Sequence, residues 1–363
     1  MSAPTSLVEP KGSSERIPRL EEDPSVVKFV RTDCVFYEGD WSAEKYDPEL
    51  AYETMQSNID DAVEAERLGF DGLATTEHHF DGWTLVPSPM VYLAAVAMRT
   101  SRLRLAQAVN ILPFHNPWQL AEEVGMLDIL SNGRAEIGVG KGNFSVERAR
   151  YGLDEADVEK RFNESIELLV KALSEVDVTF TGHFNRIDLP STVYPKALGD
   201  PLRPWIAAFK PESITKIGRA GHNLYGVIHP STAGSFKRYL QAAQEAGHER
   251  SGANYMASAG VVVAPTDGEA KKIHERAWAQ CTEIMTARGA PESEIKTFGG
   301  IFTGVIHGSP STVLDKLGEG LQMAGARRLN LVLRTRFIQE QESRQSMHLF
   351  AEEIMPHLRH LSY

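Results

Sequence analysis

Short β-rich segments and amphipathic helices alternate along almost the whole of this 363-residue chain, and that rhythm admits few folds. Val26 to Phe36 reads as a first strand. Leu50 to Leu68 reads as a helix with Ile59, Ala62, Val63, Ala65 and Leu68 on its apolar side, closed by Gly69. A second strand runs from Phe70 to Thr75. Helix Pro89 to Met98 leads to strand Leu103 to Asn110, and helix Pro117 to Leu130 ends at Ser131-Asn132-Gly133 before strand Ala135 to Val139. After helix Val158 to Leu173, the segment Asp177 to Leu189 reads as an inserted hairpin turning at Gly182. Strand Trp205 to Ala208, helix Glu212 to Arg219, strand Leu224 to Ile228, helix Ala233 to Ala246 and strand Met256 to Ala264 resume the rhythm. Helices Asp267 to Thr286 and Pro310 to Met323 then lead to strand Leu329 to Leu333 and a closing helix. Eight strand-like segments besides the hairpin predict an α/β fold, a single (β/α)8 TIM barrel with insertions, rather than an open doubly wound sheet.

In such a barrel, side chains at the C-terminal strand ends face the active-site mouth. Glu77-His78-His79-Phe80 follows the second strand and so stands where the chemistry is expected. An imidazole titrates near neutral pH, which suits His78 to moving a proton. Glu77 is expected to orient His78 or to pair with a basic neighbour, and His79 to hold structure by hydrogen bonding. A metal site built from Glu77, His78, His79 and His115 lacks HExxH or another ligand spacing, so no metal is expected.

Composition narrows the chemistry further. The chain carries 38 basic and 49 acidic residues, a net charge of -11, which disfavours nucleic acid and anionic membrane as partners and leaves a small molecule as the expected substrate. The longest apolar run, Met90 to Met98, is far short of the roughly 20 residues a bilayer span needs. Only Cys34 and Cys281 occur, far apart, as expected of a reducing cytoplasm. Residues 1–24, rich in Ser, Pro, Glu and Lys, read as a disordered tail ahead of one domain over 25–363. The stretch Gly138-Val139-Gly140-Lys141-Gly142-Asn143 fails the dinucleotide test, since Asn143 stands where the third glycine belongs, but its turn and single cation suit one phosphate.

Four blocks in order give the chain a resemblance to the luciferase-like flavin-dependent monooxygenases, over roughly Val26 to Leu361. They are Glu77-His78-His79-Phe80; Leu112-Pro113-Phe114-His115-Asn116-Pro117; Leu127 to Arg134 leading into Gly138 to Gly142; and Leu349 to Pro356. The resemblance implies a barrel with FMN in its mouth. It implies that His78 is a base or proton shuttle beside the flavin, with Glu77 in support. Lys141 stands where the family's namesake carries an arginine on the FMN phosphate, keeping the charge but losing the bidentate fork. The start of the helix from Glu212 matches the other phosphate segment, with Ser213 as a contact and Thr215 or Lys216 assisting. The bend at Ala108-Val109-Asn110 would lie under the ring, in some members through a cis peptide between Ala108 and Val109, with Asn110 at the ring's polar edge. Phe80, Trp83 and Phe144 would wall a substrate pocket. Gly140 occupies the position of the namesake's reactive cysteine, so light emission is not expected.

The reaction implied is oxygenation of a small organic substrate through a flavin C4a-peroxide, with O2 as co-substrate and reduced FMN supplied by a separate reductase. A deazaflavin-dependent hydride transfer and a non-catalytic flavin-binding partner subunit are the alternatives. Pairing into a homodimer, or a heterodimer with a related chain, is expected by analogy. The loops Phe144 to Val158 and Arg288 to Gly308 are expected to shape the pocket.

Overall fold

A computed structural model describes residues 25–362, except for 38, 41, 43, 81–83, 199–201, 229–233, 288–291, 293, 294, 297, 298 and 300–302. The tail 1–24 and Trp83 therefore lie outside the described residues. Strands β1 (Lys28–Asp33), β2 (Gly72–Thr75), β3 (Arg104–Gln107), β4 (Asn110–Ile111) and β5 (Gly138–Gly140) come first. The hairpin β6 (Val178–Thr181) and β7 (Arg186–Ser191) precedes β8 (Trp205–Ala207), β9 (Asn223–Val227), β10 (Tyr255–Val263), β11 (Ile306–Gly308) and β12 (Arg328–Arg334). The large sheet runs β3-β2-β1-β12-β10-β9-β8-β5-β4 in parallel pairs. Because β3 continues into β4 across Ala108-Val109, the two ends of this path are one broken strand. The bridge Leu105↔Ala135 completes the closure. The result is the expected barrel of eight strand positions, with β11 added outside beside β10.

The helices are α1 (Pro48–Arg67), α2 (Pro89–Arg99), α3 (Pro117–Leu130), α4 (Ser145–Arg150), α5 (Val158–Ser174), α6 (Pro211–Arg219) and α7 (Ser235–Glu245). They are followed by α8 (Asp267–Ala287), α9 (Pro310–Ala324), α10 (Glu340–Leu349) and α11 (Met355–Arg359), the last two joined by a π turn at Phe350–Ile354. Local chemistry sets their starts: the Asp47 carboxylate accepts from the amides of Glu49 and Leu50 ahead of Pro48, and Asn116 accepts from those of Trp118 and Gln119 ahead of Pro117. The hairpin is antiparallel as expected, and its tip is tied to α5 by Glu164, which accepts from the amides of His183, Phe184 and Asn185. No helix among the described residues is long and apolar enough to cross a membrane.

Alternation along the strands divides the barrel interior into layers. At the bottom, Glu136 accepts from Arg104 at 3.3 Å and Arg328 at 2.8 Å, and Arg328 lies over the ring of Trp205. Burial alone would raise the Glu136 carboxyl, but the two guanidinium groups hold it below its usual range. Above them Val30, Ala74, Ala106 and Met256 make an apolar layer. Higher still, Thr32 donates to Asn330 at 2.6 Å, and Asn330 donates to Tyr225 at 3.0 Å and Ser258 at 3.3 Å. This saturated polar layer closes the barrel beneath its mouth.

The third strand departs from the sequence reading. Instead of running unbroken from Leu103 to Asn110, it splits at a cis peptide between Ala108 and Val109. Glycines on β5 make room for the break: a Cβ at Gly138 would lie 1.9 Å from the Gln107 carbonyl, and one at Gly140 would lie 2.5 Å from Val109 Cγ2. A side chain at Gly140 would require Val109 to shift.

Candidate active site

A cavity of 520 Å3 opens at the C-terminal ends of the barrel strands. Its floor includes Thr32, Ser258 and Tyr225 from the polar layer, and its walls include His78, Ala108, Val109, Lys141, Phe144 and Ser213. A smaller chamber of 140 Å3 adjoins it, sharing Lys141, Glu159, Ala207, Ala208 and Ser213 and adding Lys216. Seven of the residues expected at the site, Glu77 among them, thus line this cavity, and Lys216 lines the adjoining chamber.

Behind the wall lies a carboxylate-histidine network. Glu77 is buried, with Oε1 2.8 Å from His79 Nε2 and Oε2 2.8 Å from His115 Nε2, while Oε2 also accepts from the Ile111 amide at 3.0 Å. Burial works to raise the Glu77 carboxyl, yet the bonds from His115 and His79 leave it below its usual range. Burial works to lower His115, and its contact with Glu77 raises it instead. Glu77 therefore bonds to His79 and His115, while His78 belongs to a different carboxylate. His79 is hydrogen-bonded on both ring nitrogens: the second lies 3.1 Å from the Tyr151 hydroxyl, and Tyr151 stacks on Phe114 at 4.1 Å.

The carboxylate beside His78 is Glu147, whose Oε1 lies 3.2 Å from His78 Nδ1 and accepts from the His79 amide at 2.8 Å. It comes from α4, a six-residue helix absent from the sequence reading. Glu147-Arg148-Ala149-Arg150 looks like a solvated charge run. In the fold Arg148 bonds the Gly142 carbonyl and Glu155, Arg150 bonds the Phe80 carbonyl, and Glu147 is fully buried. No sequence signal distinguishes these residues from surface charge.

Two expected positions fall elsewhere. Phe80 does not line the cavity: a φ of 65° turns the chain outward, and its ring is 64% exposed beneath Arg150. Asn110 is fully buried and donates to Gln107 and the Gly138 carbonyl, both at 3.2 Å, so it braces the strand break. Of the two pocket loops, Phe144, Arg148, Glu155 and Val158 line the cavity, whereas most of the stretch 288–302 lies outside the described residues.

The far side of the cavity carries lysines. Lys141 forms an ion pair with Glu159, and the Glu159 carboxyl is held below its usual range first by that bond and further by the charges of Lys216 and Lys210. Lys141 is thus the lysine in contact with Glu159, with the charges of Lys210 and Lys216 in its neighbourhood. Beside it α6 begins at Pro211 with no side-chain hydrogen bond capping its first turn, and Lys210 and Ser213 at that end line the cavity. Thr215 gives its hydroxyl to the Pro211 carbonyl at 3.0 Å, leaving Ser213 as the hydroxyl that lines the space. Burial pushes the nearby His222 down to about 4, so it adds no positive charge near neutral pH.

Comparison with known proteins agrees with this arrangement. The family model of luciferase-like monooxygenases matches residues 39–328. The oxygenase component of a flavin-dependent trigonelline monooxygenase from Acinetobacter baylyi is 34% identical over 168 residues, 44% of this chain and 46% of that one. An F420-dependent glucose-6-phosphate dehydrogenase from Kineococcus radiotolerans is 33% identical over 171 residues, 45% and 49% of the two chains. The chain spans about half the length of the curated relatives it matches, 46% and 49% in these two cases. A crystal structure of a monooxygenase from Streptomyces bottropensis superposes with a TM-score of 0.76 at 26% identity, over 91% of this chain and 99% of that one.

Proposed function

Because the chain belongs to the luciferase-like monooxygenase family, we propose that it is the oxygenase of a two-component system, using reduced FMN from a separate reductase and O2 to oxygenate a small organic substrate. The observation that carries this reading is a cavity with His78, Lys141, Lys210 and Ser213 on its wall and Lys216 in the adjoining chamber. Lys141, Ser213 and the amides of α6 would hold the phosphate. Ala108, Val109 and Gly140 bring no long side chain into the cavity and leave width for a planar ring. Bound there, the reduced flavin supplies the electrons that activate oxygen. Phe144, Cys34 and Val332 keep the cavity wall apolar and limit access of water. His78 moves the proton. The relative that is an oxygenase component supports a reductase partner. Cys34 and Cys281 are both free and buried, as suits a reducing cytoplasm.

The phosphate reading is tested by titrating the chain with FMN and with riboflavin. Lys141→Ala is expected to weaken FMN about tenfold, the worth of roughly one exposed charge-assisted hydrogen bond, and to leave riboflavin unchanged. Equal losses for both flavins would remove Lys141 from the phosphate. The F420-dependent relative favours a second reading, hydride transfer with a deazaflavin. Tighter binding of a reduced deazaflavin than of reduced FMN would select it.

We also propose that two copies pair. On the adjoining helices α2 and α3, Val91 and Met98 are 72% and 71% exposed, and Met126, Ile129 and Leu130 are exposed apolar residues as well. Sedimentation of the full chain is expected to give the mass of a dimer, and Met126→Asp to give a monomer. A wild-type monomer would contradict the pairing.

A further inference from the structure

Glu147 is fully buried, and one of its carboxylate oxygens has no hydrogen-bond partner among the described residues. Leaving a buried oxygen unmatched is costly, and an apolar side chain of similar size would fill the same volume without that cost. The charge therefore serves the contacts made by its other oxygen. Its Oε1 accepts from the His79 amide and stands 3.2 Å from His78 Nδ1, while the His78 ring lies on the cavity wall against Phe144, ring centres 5.2 Å apart. The other carboxylates around the cavity are committed: Glu77 to His79 and His115, Glu155 to Arg148, and Glu159 to Lys141. The helix that carries Glu147 is clamped to the same segment a second time, by Arg150 on the Phe80 carbonyl at 2.8 Å, so its place beside His78 is fixed.

We propose that Glu147 is a positioning residue for His78. A carboxylate at Nδ1 keeps the neutral imidazole's proton on that nitrogen and places the lone pair on Nε2. When Nε2 takes up a proton, the positive charge formed is met by the Glu147 carboxylate while the Nδ1 proton stays where it is. This rests on His78 moving a proton in the reaction proposed above. It adds the residue that decides which ring nitrogen does so.

Nitrogen-15 spectra of histidine-labelled protein, with the His78 signals identified by their loss in His78→Asn, read the tautomer directly. The wild-type chain is expected to hold neutral His78 with its proton on Nδ1, Glu147→Asp to keep that state, and Glu147→Gln to lose it. Glu147→Gln is also expected to slow oxidation of bound reduced FMN by oxygen about tenfold, part of what a placed base contributes, with FMN affinity unchanged. A wild-type His78 protonated on Nε2, or a Glu147→Gln protein with the wild-type tautomer and rate, would overturn the proposal. If Glu147→Gln does not fold, the wild-type tautomer decides alone. A chain that fails to bind FMN sinks the cofactor reading and leaves the tautomer result standing.

Discussion

Replacing His78 with alanine is expected to slow turnover by roughly 10²- to 10⁴-fold, the usual contribution of a placed acid-base group, with FMN affinity and stability near wild type. The ring lies on the cavity wall, and its backbone lies in a segment held through Glu77, His79 and Arg150. Removing it therefore takes away a proton route without loosening the wall. The measurement is steady-state oxidation of reduced FMN, read beside a flavin titration. An unchanged rate would leave the chain as a flavin-binding partner subunit whose chemistry is done elsewhere.

Glu77→Ala is expected to act on the fold instead, lowering unfolding free energy by about 3 kcal/mol in denaturant titrations, because it strands the Ile111 amide and uncouples two histidines from a buried charge. The effect has a pH window. The lowered carboxyl of Glu77 contributes stability that is present above the ordinary value of 4.5 and lost as pH falls through its lower folded value. The raised His115 contributes stability that is full below 6.5 and lost as pH rises through its higher folded value. The difference between wild type and Glu77→Ala is therefore largest between about pH 4.5 and 6.5, the two ordinary values. A difference independent of pH would show that packing, not the charge network, is what Glu77 supplies.

The legible parts of this fold are those set by neighbours in sequence. Helix α3 runs from Pro117 to Leu130 as read, because an asparagine cap and a proline fix its start and Ser131-Asn132-Gly133 its end. The barrel follows from counting strands, and the hairpin from alternation about Gly182. Contacts between distant segments were less accessible. Glu77 meets His115 across 38 residues and Glu147 meets His78 across 69, spacings that no local pattern encodes. Periodicity in Leu103 to Asn110 reads through the break at Ala108-Val109; only the resemblance to the family pointed to it. Phe80 shows the converse, an aromatic beside a catalytic histidine that a positive φ turns away from the site. Helix α4 was hidden because three charges in four residues mimic a solvated surface, and only the fold buries Glu147 against segment 77–80 and Arg148 against Glu155 and Gly142, with Arg150 left exposed.

The central claim is that the barrel mouth holds reduced FMN and lets it meet oxygen out of reach of water. Mixing the anaerobic complex with oxygenated buffer in a stopped-flow cell tests it without knowledge of the substrate. Two phases are expected, a fast loss of reduced flavin and a slow return of oxidised-flavin absorbance, with the first phase slowed in His78→Ala. A single fast return, at the rate of free reduced FMN, would contradict it.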